Sequence, residues 1–193
     1  MGTGYLAPAL SRSGHTDVAY RLLTNDTYPS WGYEIRHGAT TIWERWDGVM
    51  PDGRFQNPGM NSFNHYAFGA VGQWLFSAVA GIDTDPEQPG FRHVLIRPQP
   101  GGGLTWTRAT YQSIRGTIAS SWKREAGRLT LDVTIPANTT AAIAVPAPSR
   151  GAVSESGRPA AVAEGLQFRG MVEGCAEFEA GSGEYHFAVA EAR

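Results

Sequence analysis

The sequence predicts an α+β chain in two parts, a run of α-helices followed by an antiparallel β-sandwich. Three observations predict it. Residues 1 to about 82 hold four of the six tryptophans and carry helical periodicity in several places. From about residue 90 onward, Thr, Val, Ile, Gly and Pro recur at short intervals in the manner of short strands and turns. Between the two lies Gly81 to Gly90, a polar stretch with Pro86 and Pro89 that reads as a boundary. The expected domains are residues 1–82 and 83–193.

In the first part, Tyr5 to Leu10 reads as the end of a helix, broken by Ser11-Arg12-Ser13-Gly14. His15 to Leu23 spaces Val18 with Leu22 and Ala19 with Leu23 at i, i+4, which makes a short amphipathic helix. A third segment starts at Tyr28-Pro29-Ser30-Trp31 and runs through Arg36, with Pro29 as a first-turn proline and Gly38 after its end. The longest helix is expected from about Ser62 to Ala80, with Asn61 or Ser62 as cap and Gly81 just beyond. Phe63, Ala67, Ala70, Trp74 and Ala78 form one apolar stripe, and Phe68, Val71, Leu75 and Val79 cover the other side. A helix apolar all round is predicted to be buried.

In the second part, strands are expected at His93 to Arg97, Leu104 to Ser113, Gly116 to Arg124, Arg128 to Ile135, Thr140 to Val145, Leu166 to Phe168, Cys175 to Glu179 and Tyr185 to Val189. Leu129, Leu131, Val133 and Ile135 alternate with polar neighbours, and Ala126-Gly127 supplies the hairpin turn before them. Eight short strands with turns at this spacing predict the sandwich.

Composition excludes several function classes. A net charge of -2, with arginines scattered and Lys123 the only lysine, gives no positive field for nucleic acid or an anionic membrane. The single cysteine, Cys175, excludes an internal disulfide framework and a Cys-based zinc site. No metal or cofactor is expected. No segment reaches the ~20 apolar residues of a membrane helix, and the start lacks a signal-peptide pattern, so cytoplasm is the default location. Gly-x-Ser-x-Gly elbows, phosphate-binding glycine loops and His-x-x-x-His pairs are absent.

One stretch carries chemistry: Gly38-Ala39-Thr40-Thr41-Ile42-Trp43-Glu44-Arg45-Trp46-Asp47-Gly48. It sets Glu44 between Trp43 and Trp46. An indole face stacks on the C–H face of a pyranose while a carboxylate handles hydroxyls or a water, so this pattern suits a sugar site. A surface glutamate beside two core tryptophans would read the same way. His65, with Asn64 beside it at the start of the long helix, is the one plausible companion, as a neutral ring able to donate or accept a hydrogen bond. The plainer reading is a histidine satisfied by a neighbouring backbone group. Asp47 is expected to turn or cap the chain, Asp83 and Asp85 to be solvated, and Trp106 and Trp122 to be core. The acidic spread of Glu173, Glu177, Glu179 and Glu184 reads as a solvated strand face.

At these residues a resemblance enters. Ala19-Tyr20-Arg21-Leu22-Leu23, Tyr28-Pro29-Ser30-Trp31-Gly32-Tyr33, the Gly38 to Asp47 string, Asn61-Ser62-Phe63-Asn64-His65-Tyr66-Ala67 and Ile135-Pro136-Ala137-Asn138-Thr139-Thr140-Ala141 together resemble the C-terminal part of bacterial α-L-rhamnosidases of glycoside hydrolase family 78. The resemblance implies that residues 1–82 are the last helices of an (α/α)6 barrel and that 83–193 are the β-sandwich after it. It implies an inverting hydrolase acting on a rhamnose-containing glycoside or oligosaccharide. Glu44 matches the family's general base, and His65 a histidine lining the rhamnose pocket, with Trp43, Trp46 and Asn64 as further substrate-binding candidates. The family's acidic motif with the general acid has no counterpart here. The chain is therefore expected to be inactive alone, and to need the rest of the barrel or to self-associate. A reading from another class is a non-catalytic carbohydrate-binding or interaction module in which the sandwich does the work.

Overall fold

The computed structural model describes residues 2–190. They form two compact units divided between Trp74 and Leu75.

The first unit contains α1 (Thr3–Arg12), α2 (Thr16–Thr24), α3 (Trp31–Arg36), a long loop, α4 (Tyr66–Gly69) and α5 (Val71–Trp74). Its core is aromatic. Trp74 packs edge-on against Tyr20 at 5.1 Å between centroids, and its indole N–H donates to Ser11 Oγ at 2.8 Å. A buried Trp N–H needs such a partner. The third helix begins after Ser30, whose Oγ accepts the Tyr33 N–H at 3.0 Å. Pro29 therefore precedes the cap and does not sit in the first turn.

The long helix expected from Ser62 starts later, at Tyr66. Backbone pairing explains the difference. Glu44 N–H donates to Ser62 O at 2.8 Å, and His65 N–H donates to Ile42 O at 2.9 Å. The Thr41 hydroxyl also donates to Phe63 O. Ser62, Phe63 and His65 thus spend backbone groups on the 41–44 segment and are unavailable to a helix. The helix is not buried all round: Tyr66 is 87% exposed.

The second unit opens on a π-helical turn, Leu75–Val79, closed by Ala80 N–H donating to Leu75 O at 2.9 Å. Among the described residues eleven strands follow: β1 (Ile82–Thr84), β2 (His93–Ile96), β3 (Trp106–Ser113), β4 (Gly116–Glu125), β5 (Arg128–Ile135), β6 (Thr140–Pro146), β7 (Val153–Glu155), β8 (Arg158–Pro159), β9 (Leu166–Val172), β10 (Cys175–Ala180) and β11 (Gly183–Ala190). They build a five-stranded sheet, β1-β2-β6-β10-β9, and a six-stranded sheet, β3-β4-β5-β11-β7-β8. The sandwich is antiparallel except for the parallel β2–β6 pair. The predicted strands are all present. Ala126 and Gly127 both adopt positive φ in the β4–β5 turn, the requirement of a tight two-residue hairpin.

The core lies between the sheets. Leu129, Leu131, Val133 and Ile135 of β5 are buried, as the alternation requires, and so are Ile143, Val145 and Phe178 of the other sheet. Phe178 and Phe187 meet across the gap at 5.7 Å. Trp122 is 1% exposed, but Trp106, expected in the core, is 64% exposed on edge strand β3. Among the described residues no helix is long and apolar enough to cross a membrane.

Candidate active site

Three of the predicted residues come together in the first unit. Glu44 sits on the pairing between residues 41–44 and 62–65. Its own N–H bonds Ser62 O, and its Oε2 accepts the Ser62 N–H at 2.8 Å. One carboxylate oxygen is thereby fixed. The other, Oε1, points to His65 Nε2 at 3.9 Å, beyond hydrogen-bond reach. Both side chains are partly open to solvent, 34% for His65 and 23% for Glu44.

His65 is the N-cap of α4, and its Nδ1 accepts the Ala67 N–H at 3.2 Å. An acceptor nitrogen carries no proton, so the neutral ring holds its hydrogen on Nε2, the atom that faces Glu44. The plainer sequence reading, a ring satisfied by neighbouring backbone, thus holds for one nitrogen only. Asn64 is exposed beside them, its N–H donating to Ser62 Oγ at 3.2 Å.

The tryptophans flank this pair and pack against other aromatic rings. Trp43 is 5% exposed and packs edge-on to Phe63 at 5.1 Å. Trp46 packs against Trp31 at 4.9 Å and Phe68 at 4.8 Å. Both indoles anchor the backbone on either side of Glu44. Asp47 receives Arg45 Nε at 2.9 Å and Gln56 Nε2 at 3.1 Å, and the Arg45 hydrogen bond holds its carboxyl below the usual range. It is a loop tie, as the sequence suggested.

Sequence reasoning missed Glu34. It lies on α3, 2% exposed, while its neighbour Ile35 is 71% exposed. Burial raises its pKa to about 7, against a hydrogen bond from the Trp43 backbone that lowers it. Its Oε1 has no partner. With Leu23, Trp31, Ile42 and Val71 it lines an open pocket of about 330 Å³. An ionisable residue inside and an isoleucine outside reverse the usual helix pattern, so no periodicity rule finds it. Through the Trp43 N–H, Glu34 braces the residue next to Glu44.

A carboxylate fixed by one oxygen, with a neutral N–H donor near the other, can take a proton from water. Two family models match the chain: the bacterial alpha-L-rhamnosidase 6 hairpin glycosidase domain over residues 1–79, and the bacterial alpha-L-rhamnosidase C-terminal domain over residues 81–159. The chain belongs to the bacterial α-L-rhamnosidase family. An α-L-rhamnosidase of Streptomyces avermitilis is 48% identical over 189 residues, which is 98% of this chain and 17% of that protein. An α-L-rhamnosidase of Formosa agariphila is 44% identical over 146 residues, 76% of this chain and 16% of that one. The structure of the Streptomyces avermitilis enzyme complexed with L-rhamnose superposes with a TM-score of 0.88 at 47% identity, covering 97% of this chain and 17% of that chain. The α-L-rhamnosidase from Dictyoglumus thermophilum superposes with a TM-score of 0.84 at 30% identity, covering 99% and 21%. This rhamnosidase-family chain spans about a sixth to a fifth of the length of those relatives, and corresponds to a C-terminal part of them.

Proposed function

We propose that this chain is the C-terminal part of an inverting α-L-rhamnosidase that removes terminal α-L-rhamnose from glycosides, with residues 1–82 closing its helical barrel and 83–193 forming its sandwich. Glu44 is the general base. His65 and Asn64 line the rhamnose pocket, and Trp43 and Trp46 hold its wall. The reading is carried by the Glu44 carboxylate, tied through Oε2 to Ser62 N–H with Oε1 left without a protein hydrogen bond.

In an inverting hydrolysis Oε1 takes a proton from a water while that water's oxygen attacks the anomeric carbon. The glycosidic C–O bond breaks on the opposite face, and the departing oxygen receives a proton from a carboxylic acid roughly 6.5–9.5 Å away. The His65 Nε2–H suits a sugar hydroxyl or the attacking water as a donor. That acid belongs to the remainder of the enzyme, so the purified chain is expected not to hydrolyse an aryl α-L-rhamnoside. Grafted in place of the matching part of the Streptomyces avermitilis relative, the chain is expected to support turnover, and Glu44→Gln to lower kcat about 10²–10⁴-fold. Hydrolysis by the chain alone, or an active E44Q graft, overturns the reading.

A further inference from the structure

The outward face of the six-stranded sheet holds a polar hollow that the hydrolytic reading leaves unused. Strand register builds it. Arg108 on β3 opposes Ser121 on β4, Ser121 opposes Asp132 on β5, and Asp132 opposes His186 on β11. The next row runs Thr110, Ala119, Thr134, Glu184. Side chains alternate across a sheet, so both rows face away from the core that receives Ile118, Ser120 and Trp122. Small residues at the centre, Ala119 and Ser121, leave space between taller neighbours, and the result is a pocket of about 290 Å³. That volume is near the lower end of small-molecule sites.

Its polar groups are set out for a ligand. His186 Nδ1 meets Asp132 Oδ1 at 2.9 Å, which ties the two side chains together and leaves Nε2 and Oδ2 without a hydrogen-bond partner among the described residues. The side chains of Arg108 and Glu184 have no hydrogen-bond or salt-bridge partner among the described residues. Two carboxylates balance one guanidinium and a histidine, so there is no positive excess to select an anion. Donors and acceptors on neighbouring strands suit vicinal hydroxyls, which both give and take hydrogen bonds. Trp106 lies on the same face, two residues before Arg108 and ~7 Å away along the strand, 64% exposed. An exposed indole beside a polar hollow offers a stacking surface for the C–H face of a sugar ring.

We infer that this face binds a neutral pyranose residue of a glycan, with Trp106 as its platform and Arg108, Asp132, His186 and Glu184 as its hydroxyl contacts. The pocket is built wholly from the second unit and stands whether or not Glu44 activates water.

The test is a ¹H–¹⁵N NMR titration of the whole chain with methyl α-L-rhamnopyranoside, methyl α-D-mannopyranoside, methyl β-D-galactopyranoside and D-galacturonate. Saturable shifts are expected at the Ala119, Ser121, Asp132 and Thr134 amides with at least one neutral glycoside. Trp106→Ala and Asp132→Asn, both exposed and shown folded by their spectra, should each weaken that binding about tenfold. No response on these strands, a response to galacturonate alone, shifts confined to residues 41–65, or full binding by W106A overturns the inference.

Discussion

His65 faces Glu44 with its protonated nitrogen because its other nitrogen caps a helix: Nδ1 accepts the Ala67 N–H at 3.2 Å, and Nε2 lies 3.9 Å from Glu44 Oε1. The cap and the approach to Glu44 fall on different atoms of one ring, so substitutions can separate them. Asparagine is a good N-cap and alanine is not, a difference of about 1 kcal/mol. His65→Asn is expected to unfold near the wild-type temperature and His65→Ala several degrees lower. Both should lower kcat/KM about 10²-fold in the Streptomyces avermitilis graft. An H65N graft with unchanged kcat/KM would restrict His65 to capping.

Glu34 makes the first unit sensitive to pH. Its folded pKa, about 7, lies above the ordinary value of 4.5 because burial disfavours the charge. The folded state therefore holds the proton more tightly than the unfolded chain. Stability contributed by the neutral carboxyl is full below about pH 4.5 and is lost as pH rises through 7, a total of about 3 kcal/mol. Glu34→Gln keeps an acceptor for the Trp43 N–H and cannot ionise. Thermal melts followed by tryptophan fluorescence should show wild-type stability falling between pH 5 and pH 8, whereas E34Q stays flat and becomes the more stable protein above pH 7. Parallel pH profiles for the two would refute a buried titrating Glu34.

The strand half was legible because period-2 patterning is local: Leu129 to Ile135 and the Ala126-Gly127 turn need no distant information. Strands β1, β7 and β8 were not. Asp83 and Thr84 make β1 look like linker, and it exists because Ile82, Asp83 and Thr84 pair with Ile96, Leu95 and Val94. The same limit governs the site. Glu44 and His65 were visible as a motif, but the pairing that joins them runs through the backbone of Ser62 and Ile42, where side-chain identity carries little signal. Helical periodicity over residues 62–65 was overridden by that pairing. Glu34 was invisible, since a buried glutamate obeys no pattern and only its surroundings reveal it.

Strand β4 holds the end of the π-helical turn by two side chains. Trp122 Nε1 donates to Val79 O at 2.7 Å, and Ser120 Oγ to Ala80 O at 2.6 Å. Both donors lie on buried residues, so removing one leaves a carbonyl unpaired away from water. Ser120→Ala is expected to destabilise by about 1–3 kcal/mol, and Trp122→Phe by somewhat more through the added void. Urea unfolding should show lower midpoints with unchanged slopes. Wild-type midpoints for both variants would mean that these hydrogen bonds do not hold the turn.

Gly81 follows that turn and tolerates nothing larger. Its φ is +83°, and a Cβ there would come within 2.2 Å of Pro98 N. Rigid backbone on one side and a left-handed conformation on the other leave no room to relax. Gly81→Ala is expected to cost about 3 kcal/mol or more and to yield mostly insoluble protein. Gly14 also has positive φ but has open space around it, so Gly14→Ala should cost only about 1 kcal/mol. Equal soluble yields of the two variants would contradict the steric account.

The Asp132–His186 pair titrates in an accessible range. The Asp132 hydrogen bond is the main reason that His186 sits above its ordinary value of 6.5, with partial burial opposing it and Glu155 and Glu184 adding to it. A raised histidine pKa stabilises the fold fully below about pH 6.5, and that contribution disappears as pH rises through the folded value. Both side chains are more than half exposed, so solvent screening limits the effect to about 1 kcal/mol or less. The titration itself is the sharper observable. NMR of the imidazole protons should give His186 a midpoint above 6.5. Asp132→Asn should move it down, because the largest raising contribution is removed while the partial burial that opposes it stays. A midpoint unmoved by D132N would show that the 2.9 Å contact does not persist in solution, and would remove the fixed hydroxyl contact from the outward sheet face.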